Sequence, residues 1–268
     1  MAIPKKVSER LIAGLKRYQP IVAAAKARDA NETDTVTIVK DMLNDLFGYD
    51  KYTEVTSEFA IKGNYCDLAI KLDGALATLI EVKAVGLDLK DNHVMQVVNY
   101  AANQGTNWVL LTNAENWRVY RIKFAQPIEH ELVVDINVNN MSGRSEKDLE
   151  LLHLWCKEGW TKSALGEYHA QRQALSRYII GALIMSDSVI DTVRREIRKL
   201  SPDVRVESEE IARVIETEVL KRDVLDGDKA VEAKKRINKA AASAARAAAK
   251  AKEEKAMASS APSDAGAT

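Results

Sequence analysis

The spacing of apolar residues changes several times along the chain, and the first region has the period of a helix. Residues 7–19 are predicted to form an amphipathic helix, which we expect Pro20 to interrupt. A second helix is predicted over residues 33–47, where apolar residues again recur every three or four positions. Gly48 follows it at a position suited to a C-terminal cap. The chain therefore begins with helices.

The next region shows the features of β-strands. Segments rich in β-branched and aromatic residues are found at residues 51–61, 65–72, 77–84, 107–112 and 117–124, with 131–138 as a candidate for one more strand. The Asp73-Gly74 pair predicts a tight hairpin between the second and third segments. Helical spacing returns in residues 91–104. This order predicts an α/β protein with a mixed sheet flanked by helices.

The C-terminal part is predicted to be helical. Helical spacing continues through residues 145–226, with Ser145 as a plausible cap and residues 207–221 as a separate amphipathic helix after Pro202. Residues 229–256 are Ala-rich and carry nine Lys or Arg against three Glu, a net charge of +6. We expect a solvated helix there, because large apolar residues for docking are almost absent, and disorder in residues 257–268.

These patterns divide the chain into four parts. They are N-terminal helices in residues 1–27, an α/β core in 28–140, a helical region in 141–226 suited to dimerisation or DNA contact, and a basic helix with its tail in 227–268.

Composition and charge exclude several classes of protein. The chain has 268 residues, with 39 Lys plus Arg and 39 Asp plus Glu, so it does not coat nucleic acid by bulk charge. The longest apolar run, residues 178–185, is too short for a bilayer, and the amino terminus lacks an apolar signal core, which predicts a cytoplasmic protein with no membrane partner. Cys66 and Cys156 are far apart without a CxxC pair, so a metal is expected to have oxygen ligands.

Candidate chemistry is concentrated on two neighbouring strands. Side chains alternate along a strand, so Glu81 and Lys83 share one face of the third strand, and Asp67 lies one hairpin earlier. Charges in so apolar a strand are costly without partners. The carboxylates of Asp67 and Glu81, with the carbonyl of Val82, suit a magnesium ion. Such an ion and Lys83 favour phosphodiester hydrolysis.

Three further residues are candidates for the same site. Gln96 and Tyr100 are spaced i and i+4 on the predicted third helix, so they share a face and can bind a phosphate, a base or water. Glu32 lies at the start of the second helix and could add a third carboxylate.

Together these residues resemble the PD-(D/E)xK nuclease superfamily, and more narrowly the N-terminal nuclease domain of type I restriction enzyme R subunits. The resemblance covers residues 28–125 and is carried by Asn31-Glu32-Thr33, Asp67, Glu81-Val82-Lys83 and residues 96–100. It implies a restriction-endonuclease-like mixed sheet and magnesium-dependent DNA cleavage, with manganese as a substitute. The implied roles are metal ligation by Asp67 and Glu81, catalysis by Lys83, and accessory functions for Gln96, Tyr100 and Glu32.

The chain departs from that family in two ways. Cys66, rather than proline, precedes Asp67. The R subunits continue into a helicase motor, whereas this sequence has no phosphate-binding G-x-x-x-x-G-K-[ST] loop. We therefore expect a stand-alone nuclease in restriction or defence against foreign DNA, or one that a partner protein targets. Because cutting both strands needs two centres, a homodimer formed through residues 145–222 is a further hypothesis.

Plainer interpretations remain open at each position. A Glu-x-Lys pair occurs on many half-exposed sheets, Gln96 and Tyr100 could cover buried surface, and the helix dipole alone favours Glu32. His93 is interpreted as a solvated loop residue rather than a base, and Trp108 and Trp117 as core residues rather than stacking platforms. The alternatives to an enzyme are an inactive nuclease-fold module that binds nucleic acid or scaffolds a complex, and an interaction protein whose helices carry the function.

Overall fold

The computed structural model describes residues 3–61 and 63–259, and the side chains of all of these except residues 64, 248 and 250–259. The chain forms two compact units, Met1–His169 and Ala170–Thr268. The predicted four-part division uses other boundaries and stays a prediction.

The first unit contains a six-stranded mixed sheet. Its strands are β1 (Val55–Ile61), β2 (Asn64–Leu72), β3 (Ala75–Val82), β4 (Trp108–Thr112), β5 (Asn116–Lys123) and β6 (Glu129–Asn137). They lie in sequence order across the sheet. Every neighbouring pair is antiparallel except β3 and β4, which run parallel. The predicted α/β class with a mixed sheet is confirmed, and residues 131–138 do contribute to a strand.

Helices cover both faces of this sheet. They are α1 (Lys5–Ala27), α2 (Glu32–Asp45), α3 (Asp91–Gln104), α4 (Glu146–His153), α5 (Lys157–Thr161) and α6 (Ala164–Ala174), with a 3-10 turn at Val138–Asn140. A crossover through α3 makes the parallel pairing of β3 and β4 possible, because parallel neighbours cannot be joined by a tight turn. The boundary between the two units falls inside α6.

Two apolar layers hold the first unit together. The larger lies between one face of the sheet and helices α1, α2 and α4, with Leu11, Met42, Ile80 and Trp155 among its fully buried members. The smaller lies between α3 and the opposite face, where Val97 is fully buried. Because both faces are covered, β3 is buried on both sides at its carboxyl end.

The ends of the first unit are joined by one bidentate ion pair. Arg10 in α1 donates from Nη1 and Nη2 to the carboxylate of Glu158 in α5, both at 2.7 Å. Its Nε also donates to the carbonyl of Leu46 at 3.1 Å, and Nη2 to that of Phe47 at 3.3 Å. Such paired charge-assisted bonds are stronger and more directional than ordinary ones. The N-terminal helix is thereby tied to a segment far along the chain.

Local sequence signals explain most element boundaries in this unit. Asp73 and Gly74 have φ angles of +50° and +79°, as a two-residue hairpin turn requires, so the predicted hairpin is confirmed. Ser145 accepts a hydrogen bond from the backbone of Asp148 and caps α4 as predicted. Gly48 has a φ of +83° just beyond α2. Asn31, rather than a residue further on, caps α2 by accepting from the backbone of Asp34.

Two predictions for the N-terminal region are wrong. Pro20 does not interrupt the first helix, since α1 continues to Ala27. Proline removes one helical hydrogen bond, but buried Tyr18 and Val22 hold the turns on either side of it against the core. Residues 51–54 form a turn rather than the start of a strand, because Asp50 accepts hydrogen bonds from the backbone of Tyr52 and Thr53.

Every regular element that the structure describes in the second unit is a helix. Its elements are α7 (Arg177–Ile184), α8 (Asp187–Leu200), α9 (Ser208–Val214), a π-helical turn at Ile215–Val219, α10 (Arg222–Leu225) and α11 (Asp228–Ser259). A small core forms around Ile190, Ile211 and Ile215. No described helix combines the length and apolar character that crossing a membrane requires.

Helix α11 departs from the predicted solvated helix at its beginning. Ala230 and Ala233 are buried, and the helix packs against α7, since small side chains allow close approach. From residue 238 on, the side chains that the structure describes are exposed, as expected for an Ala-rich basic segment. Disorder was predicted for residues 257–268, of which 257–259 are helical and 260–268 lie outside the described residues.

Gly14 of α1 lies directly against Leu46, the residue that follows α2, and gives a direct test of this packing. A Cβ added there would lie 2.5 Å from Cδ1 and 3.1 Å from Cα of Leu46. Gly14→Ala should therefore destabilise the protein by about 1–3 kcal/mol in chemical unfolding, although alanine favours helices. Gly166→Ala in α6 is the matched control, because its Cβ would meet nothing within 4 Å. Equal effects of the two substitutions would contradict the packing.

Candidate functional site

The predicted Glu-x-Lys pair lies at the carboxyl end of β3, in the middle of the sheet. Glu81 is opposite Leu111 of β4 and is only 1% exposed. Lys83 lies just beyond the strand, where its backbone N–H donates to the carbonyl of Thr112 at 2.8 Å. Hydrogen bonds to β4 thus continue past Glu81, which fixes the backbone of both residues.

Lys83 lies between two carboxylates. Its Nζ is 2.6 Å from Oε1 of Glu81 and 3.7 Å from Oε2 of Glu32. The Lys83 side chain is 13% exposed and that of Glu32 is 49% exposed, so the cluster runs from the sheet interior towards solvent. Glu32 is the first residue of α2, where the helix dipole also favours an acid. The structure therefore brings together three residues from two separate elements.

Asp67 is positioned against the same strand from β2. Its Oδ2 accepts a hydrogen bond of 2.7 Å from the backbone N–H of Val82. The β1–β2 ladder pairs Ser57 with Leu68 and Phe59 with Cys66, which places Glu58 opposite Asp67. Glu58 has a φ of +49°, a left-handed conformation that costs a non-glycine residue free energy. The strand next to Asp67 is thus locally irregular.

Burial dominates the electrostatics of the two inner carboxylates. It raises the pKa of Glu81 to about 7, despite the hydrogen bond from Lys83, and the charges of Asp67 and Glu32 act in the same direction. Burial also raises the pKa of Asp67, against the hydrogen bond from Val82. These two acids hold their negative charges only at a cost in free energy.

Lys83 remains a cation in this environment. Burial alone would lower its pKa, but the hydrogen bond and charge of Glu81, with the charges of Glu32 and Asp67, raise it above the usual value. A lysine with a raised pKa is a poor proton acceptor at neutral pH. Its chemistry here is therefore that of a fixed positive charge and hydrogen-bond donor.

One oxygen atom of the cluster lacks a partner. Oε2 of Glu81 is buried and accepts no hydrogen bond from any described residue. A buried carboxylate oxygen without a donor is unfavourable unless a cation binds it. Among the described residues, no three or more His, Cys, Asp and Glu side chains are arranged to hold a metal. Magnesium needs only one or two carboxylates and keeps several waters, so Asp67 and Glu81 fit its donor requirements.

One of the two backbone polar groups of Val82, its N–H, has a hydrogen-bond partner in the site. Its N–H is bonded to Asp67, as described above. The metal-ligand role predicted for its carbonyl is not tested by these contacts and stays a prediction.

Residues outside the predicted motif fix the segment that follows Lys83. The hydroxyl of Thr35 accepts from the backbone N–H of Val85 at 3.1 Å and donates to the carbonyl of Asn31 at 2.8 Å. Thr35 is fully buried. It therefore joins the beginning of α2, which carries Glu32, to the end of β3.

Asn113 and Arg118 hold the rest of that segment. The amide of Asn113 donates to the carbonyls of Val85 at 3.3 Å and Leu87 at 2.9 Å. Arg118 donates to the carbonyl of Leu89 at 2.7 Å. Sequence reasoning did not identify these supporting residues, because isolated Thr, Asn and Arg residues carry no local signal for a distant backbone partner.

Gln96 and Tyr100 lie on one face of α3, as their spacing predicted. Nε2 of Gln96 is 3.4 Å from the hydroxyl of Tyr100. Gln96 is exposed, and Tyr100 is half-buried against the smaller apolar layer. No hydrogen bond or ion pair within the described residues joins either side chain to Asp67, Glu81 or Lys83. Their roles in the site stay predictions.

His93 is not the solvated loop residue that the sequence suggested. It lies in the first turn of α3, half-buried, and its Nδ1 accepts from the backbone of Lys90 at 3.3 Å. Burial lowers its pKa, and so do the charges of Lys83 and Lys90. The ring of His93 is therefore close enough to Lys83 for the charge of that lysine to lower the pKa of the imidazole.

The two tryptophans considered as stacking platforms differ. Trp117 is fully buried and packs against Phe47 with ring centroids 4.9 Å apart, so it is a core residue as interpreted. Trp108 is only half-buried and lines a cavity.

Substitution of Glu81 should reveal the cost of its buried charge. Below the usual pKa of 4.5, the carboxyl is neutral in both the folded and the unfolded chain, so its burial costs little. As the pH rises from 4.5 to about 7, the carboxyl ionises more readily in the unfolded chain than in the folded one, and the free energy of unfolding therefore falls. Without divalent cations, Glu81→Gln should therefore change stability little near about pH 5 and raise the free energy of unfolding by on the order of 2–3 kcal/mol near about pH 8. Thermal and chemical unfolding at both pH values measure this.

Glu158 provides the contrasting control. The hydrogen bond from Arg10 is the main cause that lowers the pKa of Glu158. The ionised carboxylate therefore stabilises the folded protein above its usual pKa, and this stabilisation is lost in acid. Glu158→Gln should accordingly destabilise the protein at neutral and alkaline pH. If Glu81→Gln were destabilising in alkali to the same degree, the buried carboxylate would be a net stabiliser, contrary to this account.

Comparisons with known proteins identified no relative of this chain. No family model, no curated protein and no solved structure matches the chain.

Proposed function

We propose that the protein is a magnesium-dependent nuclease that hydrolyses DNA phosphodiester bonds. The observation that carries this proposal is the buried Glu81 carboxylate, with one oxygen on Lys83 and the other without a partner. Asp67 supplies a second carboxylate from the neighbouring strand. Two acids and a lysine at one strand end are suited to a hard cation and a phosphate.

The order of elements supports the same proposal. Helix α2, the antiparallel strands β1 to β3, helix α3 and the parallel strand β4 follow one another, as in the restriction-endonuclease-like core that the resemblance implies. The acids lie on β2 and β3, and Lys83 directly follows β3. We propose this finer fold assignment on the agreement of topology with residue placement.

Each residue has a separate task in the proposed reaction. Asp67 and Glu81 would hold magnesium, which when bound offsets negative charge on the phosphate and lowers the pKa of water; manganese could substitute. Lys83 directs its ammonium group towards the scissile phosphate or the attacking water. Glu32 holds the outer side of Lys83, since their charged atoms are 3.7 Å apart. Thr35 anchors the beginning of α2, which carries Glu32, to the segment after β3 through its hydrogen bonds to the backbone of Asn31 and Val85.

The net charge of the cluster determines whether it can bind DNA without a cation. Around Lys83 are three carboxylates, so the fully ionised cluster carries excess negative charge, which would repel a phosphate. A divalent cation would reverse this balance. The electrostatics therefore favour DNA binding at this site only with the metal present.

The biological setting is a further part of the proposal. We infer a role in restriction or defence against foreign DNA in the cytoplasm, as the resemblance implies. Targeting would come from a partner protein, and double-strand cleavage from a homodimer.

A plasmid assay tests the activity. With magnesium or manganese, the wild-type protein should nick or linearise plasmid DNA, whereas calcium should not support cleavage. Lys83→Ala and Asp67→Ala should each reduce the rate by at least about 100-fold. Lys123→Ala and Glu129→Gln are matched controls, because these residues form an exposed ion pair of 4.0 Å between β5 and β6. Equal loss in the controls and in the site variants would contradict the proposal.

One observation favours an inactive module as the second candidate. Glu81 is only 1% exposed, and its ion pair with Lys83 could be purely structural. For such a module, no cation would support cleavage, while DNA binding would persist and weaken with salt. Uncut plasmid with the wild-type protein and either cation, together with salt-sensitive DNA binding that Lys83→Ala retains in a gel-shift assay, would establish this alternative.

A further inference from the structure

A separate cavity lies in the first unit, at the other end of β3. Its volume is about 330 Å³, within the range of small-molecule sites. Three segments form its walls: the beginning of β3, the connection from α3 to β4, and the connection from α5 to α6. The residues used below are Ala77, Asn107, Trp108, Trp160, Ser163 and Gly166.

This cavity is distinct from the candidate nuclease site. Ala77 and Glu81 are four residues apart on β3, so about 13 Å of strand separates the two positions. The residues that line the cavity include none of Glu32, Asp67, Glu81 and Lys83. The two sites therefore lie at opposite ends of the same strand.

The walls combine aromatic rings with small residues. Trp108 and Trp160 both line the cavity and are half-buried. Gly105 and Gly166 also line the cavity, and a Cβ added to either would meet nothing within 4 Å. Indole rings beside such open space suit a flat aromatic ligand, because bases stack on aromatic side chains regardless of their sequence.

Beside the cavity, the guanidinium of Arg121 lies against one of these rings and has no ion-pair partner among the described residues. Cζ of Arg121 is 4.9 Å from the ring centroid of Trp108, and no described residue forms a hydrogen bond or ion pair with the guanidinium. Glu131 is opposite Arg121 in the β5–β6 ladder, but its Oε2 lies 3.3 Å from Nε2 of His169. Burial lowers the pKa of Arg121. An anion would relieve this unpaired charge.

Polar groups at the cavity are also free to bind a ligand. The side-chain amide of Asn107 and the hydroxyl of Ser163 have no hydrogen-bond partner among the described residues. Ser163 has a φ of +56°, a left-handed conformation that is costly for serine. An amide that both donates and accepts is suited to the edge of a base.

We propose that this cavity binds a nucleotide, with its base against Trp108 and Trp160 and its phosphate on Arg121. The nucleotide is either a free one or the end of a nucleic-acid strand, since both have the same base and phosphate. This inference does not depend on nuclease activity.

Titration of the full-length protein with AMP, GMP and CMP, followed by calorimetry and tryptophan fluorescence, tests the proposal. At least one nucleotide should bind with a Kd below about 1 mM. Adenosine and inorganic phosphate should each bind at least about tenfold more weakly than AMP. Equal binding of adenosine and AMP would overturn the role of Arg121.

Two pairs of variants localise the binding. Gly166→Phe should fill the cavity and reduce affinity at least about tenfold, whereas Gly166→Ala should leave it unchanged. Arg121→Gln should produce a similar loss, and Lys123→Gln, which removes a charge two residues further along β5, should not. Comparison of Arg121→Gln with Lys123→Gln still tests the proposal if Gly166→Phe fails to fold. Unchanged affinity in Arg121→Gln and in a folded Gly166→Phe would overturn the assignment.

Two further arms separate the sources of the ligand and the two sites. Oligo-dA with and without a 5′ phosphate distinguishes a strand end from a free nucleotide. Saturable binding of AMP, GMP, CMP or the phosphorylated oligonucleotide supports the proposal, and saturable binding of none of the four overturns it. Lys83→Ala should bind AMP as the wild type does. Loss of nucleotide binding in that variant would show that the ligand occupies the nuclease site, contrary to the proposal.

Discussion

The burial of the Glu81 carboxylate at the end of β3 is the interaction on which the candidate site depends. An ionised acid that is 1% exposed needs compensation, and Lys83 provides it for one oxygen only. Replacement of a buried ion pair by neutral groups of similar size is often harmless to folding. A purely structural role therefore gives little reason to keep the charges. The proposed binding of a cation would give a direct reason for both charges.

The arrangement around this pair follows from the sheet. Antiparallel pairing of β2 with β3 brings Asp67 to the backbone of Val82. Parallel pairing of β3 with β4 continues to the backbone of Lys83. Glu32 arrives from a helix that Thr35 joins to the same strand end. Since several rigid elements position these groups, a bound phosphate or cation would meet side chains that are already in place.

Sequence reasoning predicted this region well where the signals were local. Alternation along β3 and the Asp73-Gly74 turn were enough to place Asp67 near Glu81, because hairpin partners are close along the chain. Helix α1 was predicted less well, since the penalty for Pro20 is local whereas the burial of Tyr18 and Val22 is tertiary. The supporting roles of Asn113 and Arg118 depend on contacts with residues about 26–29 positions away. The unpaired Oε2 of Glu81 could only be seen from coordinates.

The bidentate bond between Arg10 and Glu158 has a practical consequence for experiments on isolated fragments. These residues are 148 positions apart, so a recombinant piece limited to residues 28–140 would lose both partners. It would also expose the side of α2 and the carbonyls of Leu46 and Phe47 that Arg10 covers. A fragment of the first unit that keeps this bond must therefore run at least from α1 through α5. Shorter expression products would report on a damaged scaffold rather than on the candidate site.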